Sequence, residues 1–209
     1  MEDLMNLSRK ERERLQRRQD ILNSAVRLFA EKGFTNTTLE DIATKSEFGI
    51  GTIYNYFQNK EEIFKSIIDG VLEANLEIVE RVDQNTDNLI EFLEQFTRAI
   101  FEYLVSNKEA LLLLVTYFIG NGERPIHLKN DAFETKHCKM DEIFRKRIVS
   151  GIEKQEIRKL NPDNLQHFYH TLVYPYVTGL IRSKEFKDSS INEHVDFILD
   201  ILFNGILIR

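Results

Sequence analysis

Apolar residues recur along most of the chain at the three- and four-residue spacing of amphipathic helices. Gly33 follows Lys32 as a glycine that ends a helix, and Thr38 stands three residues before Asp41, which is typical of a helix N-cap with a capping box. Two very short helices joined by a tight turn after a longer one indicate a helix-turn-helix unit. The N-terminal third predicts helices over Arg12 to Lys32, from Leu39, over about Ile50 to Tyr56, and from Lys60 to about Val82.

The rest of the chain predicts longer helices separated by a few polar breaks. Pro162 suits the first turn of a helix capped by Asn161, and Gly120 to Pro125 forms the clearest loop. Three prolines and nine glycines leave little room for the turns of an all-β fold. The fold class is therefore all-α, with a helix-turn-helix domain over 1–65 and a larger helical domain over 66–209. The expected helices are Leu89 to Val105, Ala110 to Ile119, about Lys129 to Gln155, about Pro162 to Ser183 and Ile191 to Ile208.

Charge and cysteine content narrow the setting in which the chain works. Acidic and basic side chains balance over residues 1–65, so the net charge of −6 arises in 66–209, while Arg9 to Arg18 concentrates basic residues. Such a local basic patch can attract phosphates although the whole molecule is acidic. Cys138 is the only cysteine, which excludes an intrachain disulfide. No secretory signal or membrane span is recognisable, so we expect a cytoplasmic protein without a membrane partner.

The segment around the third helix carries the residue types that contact DNA. Gly49 and Ile50 open this helix, where small residues let the backbone approach DNA closely. Thr52 can donate a hydrogen bond to a phosphate, and an asparagine such as Asn55 matches the donor and acceptor of an adenine edge. The tyrosines present a ring and a hydroxyl, and Lys60 offers a charge at a helix N-terminus. The predicted DNA-binding residues are Thr38, Gly49, Ile50, Thr52, Tyr54, Asn55, Tyr56 and Lys60.

Within Ile21 to Phe64 these motifs together resemble the signature of the TetR family of bacterial regulators. The resemblance implies phosphate contact by five of the predicted residues and a C-terminal domain that dimerises around a small-molecule pocket. The matching positions are Gly33, Thr37-Thr38, Ile42-Ala43, Gly51-Thr52-Ile53-Tyr54, Tyr56-Phe57 and Lys60, and the implied phosphate contacts are Thr38, Thr52, Tyr54, Tyr56 and Lys60.

Two departures from the family pattern affect what the third helix can read. The family usually has glycine in the turn where this chain has Glu47, and only glycine takes a positive φ without cost. Glu47 therefore predicts either a strained turn or a different one. The family often has Ser-Lys where this chain has Gly49-Ile50, so one possible contact is lost at Ile50. The sequence of the operator stays open.

Aromatic residues fill the predicted C-terminal domain. They suit a pocket for an apolar or aromatic ligand, and they equally suit a ring-rich core. The last two helices carry more apolar faces than a monomer needs. Pairing them across a two-fold axis predicts a homodimer through about 162–208, as the resemblance also implies. The candidate ligand-binding residues are Phe96, Tyr103, Tyr117, Phe118 and Tyr174.

Other functions find weaker support. Polar residues between His127 and Cys138 match no specific metal-ligand motif, so we expect no metal or other cofactor. The chain contains Glu-x-x-His only once, at Glu134 and His137, and has no nucleophile elbow or phosphate loop, so we expect no enzyme activity. We expect instead a dimeric repressor that a small effector releases from a palindromic operator. The alternative is a protein-binding adaptor that kept the fold but lost specific DNA binding.

Overall fold

The computed structural model describes residues 7–119, 131–183 and 190–205, with only the backbone described at 114–119, 131–134 and 137. All regular elements in these ranges are helices, which confirms the predicted all-α fold with its N-terminal helix-turn-helix. They are α1 (Arg9–Lys32), α2 (Leu39–Lys45), α3 (Ile50–Tyr54), α4 (Lys60–Gln84), α5 (Leu89–Ser106), α6 (Lys108–Ile119), α7 (Asp131–Glu153), α8 (Pro162–Arg182) and α9 (Ile191–Asn204).

Local signals in the sequence set most helix ends. The capping box at Thr38 is present, Asn161 caps α8, and Gly33 ends α1 at a φ of 81°. Helix α1 begins three residues earlier than predicted because Ser8 and Glu11 form a capping box of their own. The predicted loop at 120–125 lies outside the described residues. The prediction that the last helix reaches Ile208 is wrong, because the helix ends at Asn204, and Gly205 closes it with a φ of 71°.

Helix α3 is shorter than the sequence predicts, because it ends at Tyr54 and not at Tyr56. The amide of Asn55 already donates to more than one carbonyl of α3, which is the bifurcated pattern of a helix end. Asn55 and Tyr56 therefore follow the helix and do not belong to it.

The chain divides into two compact units, Met1–Gly70 with Leu112–Leu128 and Val71–Leu111 with Lys129–Arg209. The predicted boundary after residue 65 lies within α4, which contributes residues to both units. In the parts of the chain described here, no helix combines the length and apolarity that crossing a bilayer requires.

In the first unit, α1 buries an apolar stripe against the helix-turn-helix. The stripe includes Ile21, Ala25 and Phe29, which are almost fully buried. The ring of Phe29 lies 5.9 Å from that of Phe64, and Phe34 lies about as close to both. These rings join the end of α1 to α4 and so hold α2 and α3 against a fixed base.

In the second unit, four rings from three helices form the centre of the core. Phe144 of α7 meets Phe96 edge to face at 4.9 Å and Phe92 at 5.1 Å. Tyr169 of α8 lies 5.5 Å from Phe144, and its hydroxyl is 2.6 Å from that of Thr97. All four rings are almost fully buried, so this part of the unit is a packed core.

Candidate nucleic-acid interface

The start of α2 is held by reciprocal hydrogen bonds. The Asp41 amide donates to Thr38 Oγ1 at 3.1 Å, and the Thr38 amide donates to Asp41 Oδ2 at 3.0 Å. The Thr38 amide, together with the Lys32 ammonium 3.0 Å from Asp41 Oδ1, holds the pKa of that carboxyl below its usual range. Thr38 remains exposed. The Thr38 side chain is therefore accessible to an external partner while its oxygen caps the helix.

The turn between α2 and α3 is the strained turn that the sequence predicted as one of two possibilities at Glu47. Glu47 has a φ of 61°, the left-handed region that favours glycine. The Phe48 amide still donates to the Ala43 carbonyl at 3.0 Å, so the turn closes in spite of the strain. Glu47 is exposed, and it has a glycine-like backbone conformation at the position where the family usually has glycine. The expected strain is therefore present, and the turn keeps its geometry.

The outer face of helix α3 is accessible to a partner. Ile53 is fully buried and fixes the inner face, while Ile50 is 37% and Tyr54 55% exposed. A Cβ added at Gly51 would meet nothing within 4 Å, so the fold itself does not need glycine there. Thr52 is half-buried at the edge of this face. Packing does not require the glycine at position 51, which lies on an exposed helix beside the Thr52 hydroxyl and the Tyr54 ring. Such an arrangement suits the close approach of a partner's backbone.

The Lys60 side chain lies at the start of α4, but it turns toward the preceding loop. Its ammonium donates to the carbonyls of Phe34 at 2.9 Å, Thr35 at 3.1 Å and Thr37 at 3.0 Å. It also lies 4.6 Å from the centre of the Phe34 ring. These acceptors match the three donors of an ammonium group. The structure therefore gives Lys60 a positioning role that the sequence did not suggest.

Two further side chains support this surface without having been singled out. Asn59 caps α4, since its Oδ1 accepts from the Glu62 amide at 2.8 Å. The Arg18 guanidinium lies 5.0 Å from the centre of the Phe57 ring and donates to Ser66 Oγ at 3.0 Å. An asparagine three residues before Glu62 was a recognisable cap signal. The Arg18 contact joins residues far apart in sequence and carried no such signal.

The other predicted DNA-binding residues flank α3. Gly49 precedes the helix with a φ of −66° and is exposed. Asn55 is exposed and Tyr56 half-buried directly after the helix. The basic residues of α1 from Arg9 to Arg17 are exposed, with Arg9 paired to Glu13 at 2.8 Å. The fold thus brings the predicted residues of α2, α3 and the following turn into one unit.

The predicted ligand-binding residues belong to different surroundings. Phe96 lies in the packed ring cluster, while Tyr103 and Tyr174 are half-buried. Burial raises the pKa of both tyrosines; the nearby negative charge of Glu77 raises the pKa of Tyr103 further, and the nearby Tyr103 raises that of Tyr174 further. The side chains of Tyr117 and Phe118 lie outside the described residues.

The weak metal candidate between His127 and Cys138 falls mostly outside the description. The side chains of Asp131, Glu134 and His137 are not described, and Cys138 is exposed. Over the described residues, no group of three or more histidine, cysteine, aspartate or glutamate side chains is arranged to hold a metal ion.

Comparisons with known proteins agree with this geometry. The sequence model for "Bacterial regulatory proteins, tetR family" matches residues 21–67, which span the second half of α1, all of α2 and α3 and the start of α4. The uncharacterised HTH-type transcriptional regulator YhgD of Bacillus subtilis is 27% identical over 149 residues, 71% of this chain and 76% of the relative.

Solved structures extend the likeness to the second unit. A Clostridium perfringens protein provisionally named a fatty acid metabolism regulator is 27% identical, with a TM-score of 0.75 over 91% of this chain and 100% of that one. The regulator FadR of Bacillus subtilis, solved with stearoyl-CoA, is 22% identical, with a TM-score of 0.73 over 90% and 99% of the two chains. The second likeness shows the fold alone.

Proposed function

Because this chain belongs to the tetR family of bacterial regulatory proteins, we propose that it is a dimeric cytoplasmic repressor that a small apolar or aromatic effector releases from a palindromic operator. The observation that carries the DNA-binding part is the outer face of α3. Ile50, Gly51 and Tyr54 are exposed on this face. Packing within the protein does not require a glycine at position 51.

On this proposal α3 enters the major groove. Thr52, Tyr54 and Tyr56 contact phosphates, as does Thr38 from the start of α2. Gly49 and Gly51 let the helix backbone approach the duplex. Exposed Ile50 suits apolar contact with a thymine methyl group, and Asn55 suits an adenine edge. Lys60 contacts phosphate through its helix N-terminus, since its ammonium already has three carbonyl partners.

Exposed rings on the last two helices support the homodimer. Phe168 of α8 is 55% and Phe197 of α9 53% exposed, which is unusual for large apolar side chains. Thr171, Pro175 and Gly179 are exposed on the same side of α8 as Phe168. Small or compact residues beside a protruding ring allow two helices to approach closely. We therefore propose that α8 and α9 pair with their copies in a second subunit.

The effector is proposed to bind in the second unit, which contains the candidate residues Phe96, Tyr103 and Tyr174. The other two candidates from the sequence, Tyr117 and Phe118, belong to the first unit. The stearoyl chain of the stearoyl-CoA in the FadR structure supports an effector with a long apolar part for a fold of this kind. The effector releases the operator only through a difference in its affinity for two states of the protein. Helix α4 contributes residues to both units and is the proposed link between the two sites.

The proposal is tested by selecting bound sequences from a random DNA pool and following affinity against salt. A dimeric regulator enriches a palindrome, and log affinity falls steeply as log salt rises. Absence of any enriched sequence, with only weak binding at physiological salt, would favour the protein-binding adaptor instead.

Two glycine variants show whether α3 is the reading surface. Gly51→Ala stabilises the helix by about 0.5–1 kcal/mol, because alanine loses less entropy on folding and its Cβ meets nothing. In the complex with DNA, the same methyl group lies between α3 and the sugar-phosphate backbone and weakens operator binding. Gly70→Ala is the matched control, since Gly70 is exposed in α4 with equally open space. It should stabilise the protein and leave operator affinity unchanged.

A further inference from the structure

A polar residue occupies the middle of the buried face of α4. At 100° per residue, Asn75 lies on the same side of the helix as Val71, Val79 and Val82. These three valines are at most 5% exposed, and Asn75 is itself only 5% exposed. The helical period calls for an apolar side chain at this position, so Asn75 directs an amide toward the interior of the second unit.

The amide oxygen of Asn75 lacks a donor. Among the described residues, its Oδ1 is a buried acceptor without a hydrogen-bond partner. Two other buried polar side chains of the unit are satisfied: Thr97 donates to the Leu93 carbonyl, and Thr178 donates to that of Tyr174. A buried acceptor without a partner destabilises a fold, so its presence suggests a partner supplied from outside the chain.

We propose that Asn75 is the polar anchor of the effector. Its Oδ1 accepts a hydrogen bond from a neutral hydroxyl or N–H group on an otherwise apolar molecule. A carboxylate effector offers no donor to this oxygen, and a cation would lose its hydration among neutral, apolar neighbours. This inference rests on the proposed effector binding and narrows its chemistry.

The first test separates a ligand contact from a structural role. Asn75→Ala and Asn75→Leu remove an unsatisfied amide, so their urea unfolding midpoints should equal or exceed that of the full-length parent. Two variants are used because leucine is larger than asparagine and can overpack the site. Thr97→Val is the control, since it removes a satisfied buried hydroxyl and should lower the midpoint. If both Asn75 variants lower the midpoint as Thr97→Val does, Asn75 is structural and the proposal is overturned.

The second test uses two isomeric probes of equal chain length, 1-undecanol, whose oxygen carries a hydrogen-bond donor, and 1-methoxydecane, whose oxygen does not. Binding of each to the full-length protein is measured by calorimetry. The parent protein should bind the alcohol about tenfold more tightly than the ether, and Asn75→Ala should bind both alike. Equal binding of the two probes by the parent, or no binding of either, contradicts the inference. The DNA selection is independent of this result, so a protein that enriches a palindrome but fails here retains its function as a DNA-binding regulator.

Discussion

The side-chain ammonium of Lys60 donates a hydrogen bond at 3.0 Å to the backbone carbonyl of Thr37, one residue before Thr38 caps α2. With the carbonyls of Phe34 and Thr35, this bond ties the start of α4 to the loop that aims the helix-turn-helix. Lysine therefore acts here on the shape of the DNA-binding surface.

The salt dependence of DNA binding distinguishes positioning from phosphate contact. Lys60→Met leaves three carbonyls without their donor, so it should lower the free energy of unfolding by about 1–3 kcal/mol and weaken operator binding. The slope of log affinity against log salt should stay that of the parent protein. A slope smaller by about one would show instead that the ammonium neutralises a phosphate.

Backbone strain at Glu47 predicts a stabilising substitution. Its left-handed φ of 61° costs about 1 kcal/mol for a residue with a Cβ, whereas the extra backbone entropy of glycine costs roughly 0.5 kcal/mol. Glu47→Gly should therefore raise the free energy of unfolding by about 0.5 kcal/mol in urea titrations. Gln155→Gly should act alike, since Gln155 has a φ of 60°. Lys45→Gly in α2 is the control and should lower stability by about 1 kcal/mol.

Features set by neighbours in sequence could be predicted, and those set by distant contacts could not. The Thr38 cap, the Gly33 terminus and the strain at Glu47 each depend on a few adjacent residues, and the structure contains all three. The contacts of Lys60 cross more than twenty residues of chain, so a basic residue at a helix start suggested phosphate instead. Asn75 was not singled out, although a polar residue inside an apolar helical row was a readable signal.

A close approach of two helices makes Gly151 sensitive to substitution. A Cβ at Gly151 of α7 would lie 2.6 Å from Cδ2 and 2.9 Å from Cβ of Leu89, which is itself buried at the start of α5. Because Leu89 cannot move aside without disturbing the core, Gly151→Ala should destabilise the protein by about 1–3 kcal/mol. Gly70→Ala, where the added carbon meets nothing and the position lies outside the proposed dimer interface, should not destabilise it in the same thermal unfolding experiment.

The exposed rings of α8 and α9 test the homodimer. Phe168→Glu and Phe197→Glu place a charge at the centre of the proposed interface, and each should convert the protein to monomer in sedimentation equilibrium. Operator affinity should fall with the loss of the second half-site. Leu15→Glu in α1, where the side chain is 47% exposed, is the control and should leave the dimer intact. Dimers that persist in both phenylalanine variants would place the interface elsewhere.

Two tyrosines whose hydroxyl groups are buried predict that the protein loses stability at alkaline pH. Burial raises the pKa of Tyr169 and Tyr174 above the ordinary value of 10.0, so the unfolded chain ionises first as the pH rises. Below about pH 10 the contribution of the two tyrosines to the free energy of unfolding is constant. Above this pH the free energy of unfolding falls by about 1.4 kcal/mol per pH unit for each such tyrosine. Tyr174→Phe should make this decrease in the free energy of unfolding less steep. The measurement is a series of urea titrations between about pH 9 and 11, roughly the range in which tyrosine ionises. Tyr54→Phe, at an exposed position on α3, should reproduce the parent curve, and a Tyr174→Phe curve as steep as the parent would contradict the burial of this hydroxyl.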